Sequence, residues 1–290
     1  MTVITSLIDL LALEPLGNGI FRGRNEDLGL PQVFGGQIIA QALSAAMQMT
    51  DTERYLHSCH TYFLRAGDIA FPIIYETEIL REGKNFTAIN INAKQNNELI
   101  CRVMASFQVP ERGFEHQITM PKTDKPDAFY SENTLIQSFA TILPSPLREK
   151  FQKERAFDVR IKYPNDPFNG KKLPMEQFLW AKLNGAGQLD QLNQRLQQCL
   201  IAYFSDFHCI ITMLQPHERG FMQQGLRVAT LDHSIWFHRN IDFTQWLLFA
   251  LQTPNASNGR GLTRGEVFDQ QGNLLMSYQQ EGLIRDSSIN

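Results

Sequence analysis

The chain has 290 residues, a length typical of two domains. Its 27 Lys and Arg residues against 30 Asp and Glu residues give a formal net charge of −3. This near balance argues against a polybasic protein that binds nucleic acid or an anionic membrane surface. A hydrophobic content of 43% with 20% charged residues is ordinary for a folded globular chain, so we do not expect extensive disorder.

The first residues and the cysteines favour a cytoplasmic protein. The opening run MTVITSLIDLLALEPL carries Asp9 and Glu14 and no basic residue, so it does not resemble a signal peptide. Its apolar spacing predicts a short amphipathic helix. The four cysteines contain no C-x-x-C pair, which argues against a zinc ribbon or a disulfide framework. We expect four buried or inert reduced thiols: Cys59, Cys101, Cys199 and Cys209.

Residues 28–50 carry no charge and are long enough to cross a bilayer as a helix. The segment also contains Pro31, two glycines and several glutamines, which hydrocarbon does not accommodate. We therefore predict a helix from about Phe34 to Met49 that is buried inside the protein. A helix that is apolar nearly all round has to be wrapped by other elements.

Strand patterns follow this helix, and the second half of the chain repeats the plan. Alternating or β-branched runs predict strands at 57–65, 72–80, 86–94 and 99–109. A helical pattern over 188–210 precedes further strand patterns at 226–239, 246–254, 260–269 and 273–284. Short sequence echoes keep an offset of 174 or 175 residues between the halves, as in YFLR from Tyr62 and WFHR from Trp236. The order predicts an α+β fold made by tandem duplication.

This repeat divides the chain into an N-terminal unit at 1–110, a linker at 111–175 and a C-terminal unit at 176–290. The linker is rich in proline, so we predict an ordered segment that follows the core surface. A brief helix is predicted near Leu135–Ile142.

Five motifs together resemble the acyl-CoA thioesterase II (tesB-type) family, over essentially the whole chain. They are EDLGLPQVFGGQIIAQAL (26–43), HSCHTYFLRAGD (57–68), ASFQVPERGFEHQ (105–117), ATLDHSIWFHR (229–239) and QQEGLIR (279–285). The resemblance implies a double hotdog fold, in which two long helices are each wrapped by a curved antiparallel sheet. The repeat predicted above is independent of this resemblance.

The resemblance also implies hydrolysis of fatty acyl-CoA to free acid and CoA, with a water activated by Asp, Thr and Gln. Carried over by motif, these residues are Asp206 in YFSDF, Thr230 in VATLDHS and Gln280 in YQQEG. The position of the first half nearest to Asp206 by offset is close to Gln37, so that half should lack the carboxylate. We expect one working site, with neither a cofactor nor a metal.

These residue types suit the chemistry, although each has an ordinary structural interpretation. A carboxylate can act as a general base, and a hydroxyl and an amide can hold a water and support a developing oxyanion. Without the resemblance, Asp206 is a carboxylate at a helix end, Thr230 a strand threonine and Gln280 a surface amide. A zinc site is disfavoured because His233 and His238 should face opposite sides of one strand. His57 or His60 could orient the site, with a buried structural histidine as the alternative.

We expect acyl-CoA as the partner, no nucleic acid, no insertion in a membrane, and a homo-oligomer, either a dimer or a tetramer. No G-x-S-x-G motif occurs, which argues against a serine thioesterase of the α/β-hydrolase kind. Two alternatives stay open at this point. One is a hotdog-fold enoyl-CoA hydratase, and the other is a module that binds acyl-CoA without catalysis.

Overall fold

A computed structural model of the chain describes residues 2–30, 32–140, 148–149, 153–185, 187 and 192–289. The helices are α1 (Val3–Leu11), α2 (Gly35–Gln48), α3 (Glu132–Ala140), α4 (Gln194–Ser205) and α5 (Cys209–Leu214). The first six strands are β1 (Glu14–Gly17), β2 (Ile20–Gly23), β3 (Tyr55–Phe63), β4 (Ile73–Glu82), β5 (Phe86–Gln95) and β6 (Glu98–Gln108). The others are β7 (Tyr130–Ser131), β8 (Phe157–Ile161), β9 (Glu176–Leu183), β10 (Leu226–Phe237), β11 (Leu247–Ser257), β12 (Arg260–Phe268) and β13 (Leu274–Asp286).

The contacts divide the chain into two compact units. Unit 1 consists of Met1–His116, Gly185–Phe204 and Ser234–Asp242, and unit 2 of Gln117–Asn184, Ser205–His233 and Phe243–Asn290. This grouping differs from the boundaries predicted at 1–110, 111–175 and 176–290, so that division stays a prediction.

Unit 1 wraps a sheet around α2. The strand order is β1-β2-β4-β5-β6-β3, and the paired strands are antiparallel. α2 contacts β4, β5 and β6, and its Ile39 and Leu43 are fully buried. Its two buried amides have polar partners; the Gln41 amide, for example, donates to the Leu10 carbonyl oxygen at 2.7 Å and accepts from the Tyr75 hydroxyl at 2.7 Å. The prediction of a buried helix at 34–49 is confirmed, and no helix of the described residues has the length and apolar character that a membrane span requires.

Unit 2 follows the same plan. Its strand order is β10-β13-β12-β11-β9-β8-β7, and α5 packs on β11, β12 and β13. Gly261 and Gly282 are paired across β12 and β13, and a Cβ at either position would lie about 3.0 to 3.1 Å from Met213 of α5. These glycines therefore let the helix approach the sheet closely. A second layer of buried side chains lies on this sheet: Phe129, Phe178, Trp180, Leu248, Ala250, Phe268 and Leu274.

The eight strands predicted after the two central helices are confirmed, with ends that differ by a few residues. Helix followed by antiparallel sheet, twice over, is the predicted α+β class. The segment predicted as a linker is more structured than expected, because β7, α3 and β8 belong to the sheet and surface of unit 2. The brief helix predicted near 135–142 is α3 as far as Ala140, and residues 141–142 lie outside the described part of the chain.

Candidate active site

Asp206 lies in the short turn between α4 and α5. α4 ends at Ser205 and α5 begins at Cys209, so the prediction of one helix over 188–210 is wrong here, and its first residues, 188–191, lie outside the described residues. The Cys209 thiol donates to the Ser205 carbonyl oxygen at 3.4 Å, which gives one of the last carbonyl groups of α4 a partner. The turn leaves Asp206 only 8% exposed, so its carboxylate is largely withdrawn from bulk solvent.

Thr230 and Gln280 lie on neighbouring strands of unit 2. Thr230 belongs to β10 and is partly exposed, whereas Gln280 belongs to β13 and is fully buried. The Thr230 hydroxyl donates to Asp206 Oδ1 at 3.2 Å. The Gln280 amide nitrogen donates to Thr230 Oγ1 at 3.0 Å. The structure thus brings the three predicted residues into one hydrogen-bonded group.

The chemistry of the donors fixes the direction of these bonds. A carboxylate only accepts hydrogen bonds, so the single proton of the Thr230 hydroxyl points to Asp206. The Thr230 oxygen is then left to accept, and the nitrogen of the Gln280 amide is the group that faces it. The amide oxygen of Gln280 consequently points away from Thr230.

A histidine and a serine extend the group beyond Gln280. Gln280 Oε1 lies 2.7 Å from His233 Nδ1, and His233 Nε2 lies 2.9 Å from Ser205 Oγ. His233 is fully buried. Burial lowers its pKa below the ordinary value, although Asp206, the hydrogen bond to Gln280 and Asp232 act in the opposite direction. Sequence reasoning considered His233 only as a metal ligand and did not identify Ser205.

Two aromatic and carboxylate neighbours complete the surroundings. The Tyr278 ring lies 5.8 Å from the His233 ring, measured between centroids. The Tyr278 ring also covers Gly265, where a Cβ would come within 2.4 Å of it. Asp232 accepts from the Glu281 backbone amide at 3.1 Å, and burial raises the pKa of Asp232. The group is therefore held on a well-packed wall of unit 2.

The histidines of the first half have separate partners. His57 Nε2 lies 2.8 Å from Ser106 Oγ, and His60 Nδ1 lies 3.0 Å from Ser234 Oγ. These four residues belong to unit 1, and the three predicted site residues belong to unit 2. An orienting role for His57 or His60 stays a prediction.

Gln37 is buried on α2 and serves the fold of unit 1. Its amide accepts from the Glu26 backbone amide at 2.9 Å and donates to Asn25 Oδ1 at 2.9 Å. It also donates to the Arg24 carbonyl oxygen at 3.2 Å. These bonds tie the segment before α2 to the helix.

The thiols are unreactive in type, and the described residues contain no cluster that could hold a metal. All four cysteines are free and buried. Burial raises the pKa of Cys59 and of Cys199 to about 12, which keeps both thiols protonated at neutral pH. No group of three or more His, Cys, Asp or Glu side chains in the described residues has the arrangement of a metal site.

Comparisons with known proteins agree with this site and fold. Family models match residues 146–283, described as acyl-CoA thioesterase, and residues 24–108, described as the acyl-CoA thioesterase N-terminal domain. Acyl-CoA thioesterase 2 of Haemophilus influenzae is 57% identical over 98% of this chain and 99% of its own. Human acyl-coenzyme A thioesterase 8 is 31% identical over 95% of this chain and 88% of its own.

Solved structures show the same likeness over the whole fold. The crystal structure of an acyl-CoA thioesterase II, TesB2, from Mycobacterium marinum is 33% identical and superposes with a TM-score of 0.77. The alignment covers 97% of this chain and 99% of that one. A hot dog fold protein from Alicyclobacillus acidocaldarius, 19% identical with a TM-score of 0.72, has the same fold. The chain therefore belongs to the acyl-CoA thioesterase family and has its double hotdog fold.

Proposed function

We propose that the chain hydrolyses fatty acyl-CoA thioesters to the free acid and CoA, with Asp206 as general base and with Thr230 and Gln280 as the groups that position the water. The observation that carries this proposal is the hydrogen-bonded sequence from Gln280 through Thr230 to Asp206, with distances of 3.0 Å and 3.2 Å. Membership of the family supplies the substrate class. The geometry supports the assignment of the roles.

The reaction needs no covalent enzyme intermediate. The water oxygen attacks the thioester carbonyl carbon while its proton passes to the Asp206 carboxylate, and a carbon–oxygen bond forms. The tetrahedral intermediate then collapses, and the carbon–sulfur bond breaks. The leaving thiolate takes up the proton from Asp206, so the carboxylate is regenerated and the products are a fatty acid and the CoA thiol.

Thr230 and Gln280 act on the water and on the charge that develops. A hydroxyl and an amide each offer a donor and an acceptor, which suits a neutral water better than a metal ion. A well-placed donor to a developing oxyanion is worth about 2.7 to 4 kcal/mol in comparable enzymes. The hydrogen bond from Gln280 keeps the Thr230 hydroxyl directed at Asp206, so all three side chains are preorganised.

Replacement of Asp206 by Asn tests the base. The amide is nearly the same size as the carboxylate but cannot accept the water proton. We expect kcat to fall by about 10²-fold or more with KM changed little, because the substrate contacts stay in place. Release of free thiol from palmitoyl-CoA and from shorter saturated acyl-CoA esters is the measurement.

A matched control separates this effect from general damage. Asp158→Asn changes a carboxylate of β8 that lies 3.2 Å from Arg160 Nε, and this variant should keep wild-type turnover. A hydratase would release no thiol from a saturated ester. A binding module would bind acyl-CoA equally well with Asn at 206 and hydrolyse it in neither form. Either result would contradict the proposal.

We also propose that the protein acts in the cytoplasm and as a homo-oligomer, a dimer or a tetramer. The four free and buried cysteines are consistent with a reducing compartment. Static light scattering on the purified chain tests the assembly, since one chain has a mass of 33.2 kDa. A monomer mass at micromolar concentration would contradict it.

A further inference from the structure

The hydrogen bonds of the candidate site continue past Gln280 to a second pair of buried groups. Gln280 Oε1 faces His233 Nδ1 at 2.7 Å, and His233 Nε2 faces Ser205 Oγ at 2.9 Å. His233, Gln280 and Ser205 are all buried, with His233 and Gln280 at 0% exposure. His233 therefore has no surface through which it could touch a substrate directly.

The direction of the bonds defines the state of the histidine. The Gln280 nitrogen is engaged with Thr230, so the atom that faces His233 is the amide oxygen, which only accepts. His233 Nδ1 must then carry a proton. With the imidazole neutral, Nε2 has a lone pair, and the Ser205 hydroxyl is the donor that satisfies it.

The surroundings of His233 favour the neutral ring. It is fully buried, and burial lowers its pKa even though the Asp206 and Asp232 carboxylates act in the opposite direction. On its own strand the charged neighbour is Asp232. The groups facing it from other elements are Ser205 at the end of α4, Gln280 on β13 and the ring of Tyr278 on β13.

The tautomer of His233 has a consequence at Thr230. With the proton on Nε2 instead, the Nδ1 lone pair would repel the Gln280 oxygen, and the amide would gain by turning over. Its oxygen would then face Thr230 and draw the single hydroxyl proton away from Asp206. The bond between Thr230 and Asp206 thus depends on which ring nitrogen of His233 is protonated.

We infer that His233, held in its Nδ1-protonated form by Ser205, is a positioning residue that fixes the orientation of the Gln280 side-chain amide and through it the Thr230 hydroxyl. This inference rests on the proposed function of Gln280 and Thr230. It assigns His233 no contact with substrate and no proton transfer.

Two substitutions at His233 separate positioning from packing. The side-chain nitrogen of Asn is as many bonds from Cα as Nδ1, and that of Gln is as many as Nε2. His233→Asn therefore keeps a donor for Gln280, and His233→Gln loses it. Misplacement of a supporting group costs about 10- to 100-fold in activity. We expect this fall in kcat for His233→Gln with unchanged KM, and kcat within about 3-fold of wild type for His233→Asn.

Thiol-release kinetics and melting temperatures of both variants are the measurements. His217→Gln is the matched control, because His217 is exposed in the short 3-10 turn after α5 and should leave kcat unchanged. Equal losses in the Asn and Gln variants, or full activity in His233→Gln, would overturn the inference. A purely structural role would lower the melting temperature and kcat of both variants together.

Gln280→Ala separates this inference from the proposed function. If Gln280→Ala keeps wild-type kcat, the proposed role of Gln280 fails and the inference with it. If Gln280→Ala loses activity and His233→Gln does not, only the inference fails. In the Gln280→Ala background, His233→Gln should cause no further loss, because the effects of residues that act as one unit are not additive.

Ser205→Ala decides the question should both His233 variants fold poorly. The change removes only the hydroxyl that accompanies Nε2, so the preference between the two tautomers is weakened. We expect kcat to fall by about 3- to 10-fold with KM unchanged. An unchanged kcat in Ser205→Ala would overturn the inference.

Discussion

Thr230 is the residue on which the geometry of the candidate site turns. Its hydroxyl gives its only proton to Asp206 and accepts from Gln280 in the same plane of contacts. Loss of that hydroxyl leaves a carboxylate oxygen without this donor and an amide nitrogen without this acceptor. Both losses fall where the proposed water has to be oriented.

Thr230→Val and Thr230→Ser form the test at this position. Valine keeps the shape but no hydrogen bond, so we expect kcat to fall about 10- to 100-fold. The unpaired buried groups should also lower the free energy of unfolding by about 1 to 3 kcal/mol. Serine restores the hydroxyl, and kcat should stay within about 3-fold of wild type. Steady-state kinetics with thermal unfolding measure both effects, and full activity in Thr230→Val would exclude the proposed role.

The sequence located Asp206, Thr230 and Gln280 by motif but gave no sign of His233 as their neighbour. Residues three apart on a regular strand point to opposite faces, so alternation separates Thr230 from His233. Strand β3 shows how the spacing is reconciled. Its pairing with β6 shifts between Leu56 and Ser58, and Leu56 and Cys59 are both buried although they are three apart. Such irregularities come from tertiary pairing, which a single sequence does not display.

At the scale of the element, α2 owes its position to a glycine. A Cβ at Gly36 would lie 2.3 Å from the backbone oxygen of Tyr203 on α4, within unit 1. The ring of Phe34 would be 2.6 Å away. Alanine normally favours a helix over glycine by about 1 kcal/mol, but a backbone atom at this distance cannot move aside cheaply. The clash should therefore outweigh the propensity.

Gly36→Ala is expected to destabilise the protein by about 1 to 3 kcal/mol, the usual range for overpacking. Gly113→Ala is the control, because nothing lies within 4 Å of its Cβ position and its φ is not positive. Thermal unfolding at pH 7.5 measures both variants. A melting temperature of Gly36→Ala equal to or above that of the wild type would show that α4 yields at this contact.

Elements with strong periodicity were predictable, and those set by tertiary contacts were not. The α2 helix and the eight main strands follow from apolar patterns of the right period. The break at 206–208 did not, because apolar spacing continues across it and only the backbone hydrogen bonds stop. The proline-rich segment concealed β8, whose Phe157, Val159 and Ile161 alternate inward between the prolines.

At the scale of the whole molecule, the offset between the repeats explains why one site is expected. β11 and β12 begin 174 residues after β4 and β5, at Leu247 and Arg260 against Ile73 and Phe86. Gln280 is paired with Thr263 as Ala105 is with Ile89, at the same offset on β12 and β5.

The other counterparts at this offset are equally unsuited to the chemistry. Asp206 corresponds to Gln32, Thr230 to Leu56 and His233 to Cys59. The counterpart of Asp206 is therefore not Gln37, as the sequence suggested, but the residue five positions earlier, and it too is an amide. No carboxylate, hydroxyl or imidazole stands at these places in the first repeat.

Buried histidines should make the stability of the fold depend on pH. His208 and His233 are both buried in unit 2, and burial lowers both pKa values below the ordinary 6.5. For His208, Glu132 at 3.4 Å acts in the opposite direction and Arg155 in the same one. As pH falls below about 6.5, the unfolded chain binds protons that the folded chain refuses, and the unfolded state is favoured.

The free energy of unfolding should therefore be at its full value above pH 7 and decline as pH drops below 6.5. Each such histidine contributes a slope of about 1.4 kcal/mol per pH unit until its folded pKa is reached. Chemical denaturation between pH 5.5 and 8 measures this slope, above the range in which ordinary carboxyl groups titrate. His208→Gln removes one of the two titrating groups and should reduce the slope by about half. A slope that is unchanged in this variant would mean that His208 binds its proton equally well in the folded chain.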